Sequence, residues 1–346
     1  MRAAFLETEG RLVMINAQMP TIQSSDQILI KVKTVGICGS EVHAFRGSHP
    51  FRKAPVILGH EMAGDVVSVG KSVSNFRTGD RVIVDPQWTC GECAYCRAGD
   101  INLCPSKRML GTPSWPGAFG EYITAPENTV LHLPDSLSYT QGSLIEPLSV
   151  AVHVARRANV SANKSVAVLG SGSVGGMIVG VCRAYGAQPV VAVDIHEHCV
   201  EIARKRLGAT HTLLVPDQKL ADRMIDLAGG EGVDIVFVAA DDPILVTQGV
   251  EMAKRRGRIM LVALLTSSPL NLAAYEILKK ELEIVGNMSI NPEDVQRAIA
   301  FAVSRQVDVN AIATHVFPIE EAQRGMELAS TKDDGAIKVI LSFGSD

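Results

Sequence analysis

The sequence predicts an α/β protein of two domains, a β-barrel and a doubly wound parallel sheet of six strands. Three observations carry this expectation. The chain has 346 residues, about twice the length of a typical domain. Its hydrophobic period changes near residue 138, from short alternating runs to segments of helical spacing. Beyond that point, near-continuous apolar runs alternate with helical ones, as parallel strands covered on both faces require.

The elements follow in order. Residues 27–35 alternate apolar and polar, with Ile28, Ile30 and Val32 on one face. Similar runs occupy 63–69, 81–84, 121–124 and 130–133, separated by Gly-Asp, Pro and Asn turns. Several short strands with little helix indicate a barrel. Leu144, Leu148, Val152 and Ala155 then recur at helical spacing, so a long helix leads out of it. Six strands are expected at 165–169, 190–193, 212–215, 234–238, 258–262 and 282–285, most of them separated by helical segments. The tail returns to mixed character, with helices at 292–303 and 319–328 and a last strand at 337–341.

Composition narrows the function classes. The chain is 47% hydrophobic and 20% charged, which is ordinary for a folded protein. A net charge of -4 gives no electrostatic reason to expect nucleic acid. Residues 1–10 carry acidic groups and no apolar core, so no signal peptide is expected there. The longest apolar stretch, 166–181, is short for a membrane span and holds five glycines. The expected compartment is the cytoplasm, with no membrane partner.

Seven cysteines, an odd number, argue against a disulfide framework. Four of them, Cys90, Cys93, Cys96 and Cys104, fall within fifteen residues. Zinc takes tetrahedral thiolate sets readily, and four thiolates leave no position for substrate, so this site is expected to be structural. Four unliganded cysteines, or a zinc module for nucleic acid, are the alternatives. The acidic balance and the lack of a nearby basic cluster weigh against the second.

A second constellation is more dispersed. Cys38-Gly39-Ser40-Glu41-Val42-His43 follows one strand, and Gly59-His60-Glu61 precedes another. Thiolate, imidazole and carboxylate form a three-donor set that leaves zinc a fourth position for water or alcohol. Cys38 and Glu61 together cancel the two charges of the ion, which remains a Lewis acid; zinc lowers the pKa of bound water from about 15.7 to about 7. Glu146 as a further direct ligand would make the site net negative. It is therefore expected to hold water at the metal, or to exchange with Glu61.

Gly170-Ser171-Gly172-Ser173-Val174-Gly175 follows an apolar strand and opens a helical segment. The glycines allow a tight turn, close approach of backbone N–H groups to a pyrophosphate, and close helix–strand packing. The helix N-terminus adds a partial positive charge. Asp194 ends the next strand, about where the fingerprint places the acid for the adenosine ribose hydroxyls. A carboxylate there repels a 2′-phosphate, so NAD is favoured over NADP.

These motifs, in this order, resemble the zinc-containing medium-chain dehydrogenases over essentially the whole chain. The resemblance rests on Cys38-Gly39-Ser40, Gly59-His60-Glu61, the four-cysteine loop, Gly120-Glu121-Tyr122, the glycine fingerprint and Glu146-Pro147-Leu148-Ser149-Val150. The last is similar to the polyol (sorbitol) dehydrogenase branch, where simple alcohol dehydrogenases usually have a cysteine. The resemblance implies a GroES-like catalytic domain from residues 1–148 and 288–346, around a Rossmann domain from 149–287. It implies two zinc ions per chain, NAD and a dimeric or tetrameric assembly. Zinc ligands would be Cys38, His60 and Glu61, with Glu146 on the ion or its water. Ser40 and His43 match a proton relay. Together these imply reversible oxidation of a secondary hydroxyl on a polyol or sugar derivative. The alternatives are a threonine-type or simple alcohol dehydrogenase, or a non-catalytic dinucleotide sensor.

Several positions depart from the pattern. Cys199 replaces a common Arg or Lys near the ribose. Val238-Ala239-Ala240-Asp241 lacks a Ser-Gly or Thr-Gly pair, and Ala263 replaces a glycine. Asn287-Met288 lacks the Arg-Tyr pair placed near sorbitol. Arg46 and Arg52, close in sequence to the metal donors, would suit an acidic or phosphorylated substrate if they are not simply solvated.

Overall fold

The computed structural model describes residues 1–215, 219–265 and 270–344. The chain forms two compact units, Met1–Glu146 with Asn291–Val295 and Ala313–Asp346, and Pro147–Ile290 with Gln296–Ile312.

The first unit is built on a seven-stranded sheet. Gln27–Gly36 is its hub, pairing antiparallel with Glu61–Val69, Tyr122–Pro126 and Lys338–Ser342. Its first half pairs with Tyr122–Pro126 and its last residues with Lys338–Ser342. One strand thereby serves neighbours from both ends of the chain. Arg81–Val84, Val130–His132 and Ala313–Pro318 complete the sheet. Ile28, Ile30, Val32 and Val35 point into a core shared with Leu6, Leu58, Phe119 and Leu341. A hairpin of Arg2–Thr8 and Arg11–Asn16 lies outside the strands read from the sequence. Its alternation is blurred because adjacent Ala3 and Ala4 are both buried. Ala313–Pro318 was not anticipated either, since adjacent Thr314 and His315 interrupt its apolar run.

The second unit holds the six-stranded parallel sheet. Its order is His211–Leu214, Val190–Asp194, Val166–Leu169, Val233–Val238, Ala253–Leu261 and Glu283–Gly286. This is the 3-2-1-4-5-6 order of a doubly wound dinucleotide-binding sheet. The central strands are buried on both faces, which explains their continuous apolar runs. The long apolar stretch at 166–181 divides into strand Val166–Leu169 and helix Ser173–Ala184. Among the described residues no helix is long and apolar enough to cross a membrane.

One boundary is corrected. The segment 288–346 does not return as a whole to the first unit, because Gln296–Ile312 belongs to the second. Phe301 packs edge-on against Tyr185, and Arg206 pairs with Asp308. These contacts anchor the end of helix Pro292–Val303 and the loop after it.

Candidate active site and metal centres

The four-cysteine loop is local in construction. Cys93 caps helix Ala94–Ala98, accepting the Cys96 N–H at 3.4 Å, and a short 3-10 turn at Ile101–Leu103 delivers Cys104. One ligand atom from each cysteine lies within 4.8 Å of the other three. Cys90 Sγ is 3.9 Å from Cys96 Sγ and 3.6 Å from Cys104 Sγ. A zinc–sulfur bond of about 2.3 Å implies tetrahedral sulfur–sulfur edges of about 3.8 Å, so the donor set fits that ion. Backbone N–H groups of Glu92 and Cys93 hold the Cys90 thiol down to about 7, whereas burial pushes Cys96 up to about 11.

The second group draws its donors from three elements. Cys38 caps helix Gly39–Phe45, His60 immediately precedes strand Glu61–Val69, and Glu146 lies in the first turn of helix Ile145–Arg157. The ligand atoms form two overlapping triplets, Cys38 with Glu41 and His60, and His60 with Glu61 and Glu146. Each spans no more than 4.8 Å, and His60 is common to both.

Glu41 is the residue the sequence reading passed over. It is fully buried and accepts the Cys38 N–H at 3.0 Å. Its other oxygen meets His60 Nδ1 and Arg52 Nη1, the latter at 3.2 Å. With both oxygens engaged, Glu41 suits orienting His60 better than binding an ion. An Nδ1 held by a carboxylate leaves Nε2 for a metal. Burial alone would raise the Glu41 carboxyl, but His60 and Arg52 hold it at about 2. Burial would likewise lower His60, yet Glu41 holds it well above its ordinary value. A cation can bind this imidazole only if that proton leaves. The signal for Glu41 was its position three residues after a helix cap, where an acid reaches back to the cap N–H.

Lys338 was also missed. It is 1% exposed, and its Nζ donates to the two Glu61 oxygens at 2.8 and 2.7 Å. A lone lysine between Ile337 and Val339-Ile340-Leu341 signals a buried cation with an anion partner. Burial pushes the Glu146 carboxyl up to about 7; Glu61 reinforces that shift while His60 opposes it.

Ser40 and His43 lie on the same short helix. Ser40 Oγ is buried with no hydrogen-bond partner among the described residues, and His43 Nδ1 is 3.0 Å from Ser48 Oγ. The arginines of this region serve the fold instead. Arg52 is 2% exposed, pairs with Glu41 and donates to the Leu110 and Gly111 carbonyls, so it is not solvated. Arg46 donates to Ser330 Oγ and its carbonyl.

In the second unit, the glycine loop and Asp194 meet. Ser171 N–H donates to Asp194 Oδ2 at 2.7 Å, and His196 N–H to Oδ1 at 2.9 Å. Gly170 has φ +94°, and a Cβ there would lie 2.7 Å from Ala240 Cβ. The Ala239-Ala240 pair therefore supplies the small side chains this close approach needs. Cys199 is 1% exposed, packed inward from helix Glu197–Lys205, so it does not stand in for an outward cation. Asn287 Nδ2 donates to the Leu261 and Val285 carbonyls, which commits that amide to the strand ends.

Comparisons with known proteins agree with this architecture. Residues 24–135 match the alcohol dehydrogenase GroES-like domain, and residues 173–304 match the zinc-binding dehydrogenase family. Sorbitol dehydrogenase of Bacillus subtilis is 34% identical over 345 residues, covering 99% of this chain and 97% of the relative. An oxidoreductase/dehydrogenase of unknown specificity from Escherichia coli superposes with a TM-score of 0.93 at 32% identity, covering 99% of each chain. A zinc-binding dehydrogenase from Sinorhizobium meliloti, solved bound to NADP, superposes with a TM-score of 0.88 at 30% identity, covering 99% of this chain and 98% of that one. The chain belongs to the zinc-binding medium-chain alcohol dehydrogenase family, in its polyol-dehydrogenase-like branch, and is a zinc-dependent oxidoreductase of CH–OH donors that works with a nicotinamide dinucleotide.

Proposed function

We propose that this enzyme oxidises a secondary hydroxyl of an uncharged polyol or sugar derivative, reversibly, with NAD as hydride acceptor. The observation that carries the reading is the acidic pair Glu61 and Glu146 grouped with His60. In this reading Cys38, His60 and Glu61 hold the catalytic zinc, with Glu146 holding water at the metal or exchanging with Glu61. Cys90, Cys93, Cys96 and Cys104 hold a second, structural zinc. When bound, the catalytic ion supplies Lewis acidity that stabilises negative charge on the substrate oxygen.

The remaining work belongs to side chains. Glu41 fixes the ring of His60. Glu146, grouped with His60 and Glu61, can hold water at the metal or exchange with Glu61. The unpartnered Ser40 hydroxyl can turn toward a substrate hydroxyl and hand its proton toward His43. Asp194 receives the ribose hydroxyls and repels a 2′-phosphate. The engagement of Arg46 and Arg52 elsewhere supports a neutral rather than an acidic or phosphorylated substrate. We place the protein in the cytoplasm as a homo-oligomer, a tetramer or a dimer.

The test is a panel of polyols, sugar phosphates, aldonic acids, simple alcohols and amino alcohols including threonine, each with NAD and NADP, followed by reduced-cofactor absorbance. Polyols with NAD should lead. Threonine or a simple alcohol leading would move the reading to those branches. Silence across the panel, with dinucleotide still bound, would identify a sensor. Equal rates with both cofactors would remove Asp194 from the ribose.

A further inference from the structure

The parallel sheet of the second unit ends at strand His211–Leu214, which among the described residues pairs only with Val190–Asp194. An open cavity of about 480 Å³ lies along this edge. Helix Glu197–Lys205 supplies Arg204 to its lining, helix Leu220–Leu227 supplies Arg223 and Asp226, and the strand supplies His211 and Thr212. Arg204, His211, Arg223 and Asp226 are all exposed, so the cavity is reached directly from solvent. Its volume suits a small metabolite. No residue of the glycine loop or of the metal-ligand groups lines it. It follows the chain from Thr210 to Leu213, whereas Asp194 pairs with Leu214 at the far end of the strand. At about 3.3 Å per residue, His211 lies about 10 Å back from Leu214.

The charges in this cavity are not spent on the fold. Of three consecutive cations, Lys205 pairs with Glu201 and Arg206 with Asp308, while Arg204 makes no hydrogen bond or ion pair with a described residue. Glu201 feels the charge of Arg204 but gives its ion pair to Lys205. The Asp226 side chain likewise meets no described partner. His211 is oriented instead. Its Nδ1 lies 3.0 Å from Thr210 Oγ1, a hydroxyl that also accepts the Val190 N–H at 3.0 Å, which leaves Nε2 for a ligand.

The two kinds of charge make different demands. A guanidinium presents paired N–H donors that match the oxygens of a phosphate or carboxylate, and two of them beside an imidazole favour a dianion. A carboxylate accepts hydrogen bonds and repels a second anionic group, so the rest of the ligand must offer hydroxyls to Asp226 and Thr212. We infer that this cleft binds a phosphate monoester of a polyhydroxy compound, a sugar or polyol phosphate. Arg204, Arg223 and His211 take the phosphate, and Asp226 and Thr212 take hydroxyls. The ligand is held there without being oxidised.

The test is calorimetric titration of the metal-loaded, NAD-saturated protein with glucose 6-phosphate, inorganic phosphate and glucose. Glucose 6-phosphate should bind, inorganic phosphate about tenfold more weakly, and glucose not at all. Arg204→Gln and Arg223→Gln should each weaken glucose 6-phosphate at least about tenfold while leaving turnover of a neutral polyol unchanged. Asp226→Ala should narrow the preference for glucose 6-phosphate over inorganic phosphate. Absence of binding to wild type, or wild-type affinity in a variant lacking both arginines, would overturn the inference. Binding seen only without NAD would place the phosphate on the dinucleotide loop and overturn it equally. Inorganic phosphate binding as tightly as glucose 6-phosphate would overturn the assignment to a sugar or polyol ester.

Discussion

The loop at 90–104 and the group of Cys38, His60, Glu61 and Glu146 belong to the same unit, yet they assemble metal-ligand side chains in opposite ways. The loop uses one residue type, supplied by fifteen consecutive residues, and ranges from exposed Cys90 to buried Cys104. The second group mixes sulfur, nitrogen and oxygen donors from separate elements. Fully or nearly buried counter-charges surround it, Glu41 with Arg52 on one side and Lys338 on the other. Under the proposed function, with a closed structural ion on the loop and an open catalytic one on the second group, the difference follows from function. A closed set needs only geometry, which a short loop supplies. An open set must keep charge and coordination adjustable, which requires compensating groups that only the folded sheet brings together.

The comparison breaks most sharply at Cys38 and Cys104. Cys38→Ser should reduce turnover by at least about 10³-fold, with the loop metal and the circular dichroism unchanged. A variant that retains activity would remove Cys38 from the open set. Cys104→Ser should do the reverse. The loop should lose its metal and the protein about 3 kcal/mol, seen as roughly 6–12 °C in Tm, while folded molecules keep most of their turnover. An unchanged Tm with both metals present would deny the loop its structural role.

Glu41→Gln sharpens the role of the counter-charges. It keeps the shape but removes the anion between His60 and Arg52, so catalytic-site metal affinity should fall about 10- to 100-fold. Competition with a chromophoric chelator would measure this; undiminished affinity would show that Glu41 does not orient the ligand.

The smallest effect belongs to Asp85, which accepts the Gln87 N–H and side-chain amide. Burial pushes its carboxyl up to about 6, partly opposed by Gln87 and by Lys107, itself near Cys104. Its folded pKa lies above the ordinary value, so the unfolded chain gives up this proton first as pH rises. Stability from this group is therefore full below about pH 4 and declines from about pH 4 to about pH 6, by roughly 1–3 kcal/mol. Asp85→Asn keeps the acceptor and should flatten that decline in urea titrations across this window. An unaltered slope would refute it.

Much of the fold is legible without coordinates because its signals are local. The period change near residue 138, the continuous apolar strands and the loop at 170–175 each follow from neighbours in sequence. Arg81–Val84 and Pro292–Val303 fall where the pattern placed them. The terminal hairpin escaped because two adjacent alanines are buried, and the split at Gln296 because that segment is anchored by distant Tyr185 and Arg206.

For the site the division is similar. Donor types, the four-cysteine loop, the glycine fingerprint and the acid that ends the second strand of the parallel sheet can all be read along the chain. Each depends on spacing along the chain. Folding alone brings Arg52 to Glu41, sets Glu41 rather than solvent against His60, and places Glu61 against Lys338 and Gly36. Those facts join residues separated by eleven, nineteen and 277 positions, and by strand pairing across the sheet. Burial turns such pairings into the electrostatics of the site, because a charge shielded from water must be answered by the groups the fold sets beside it.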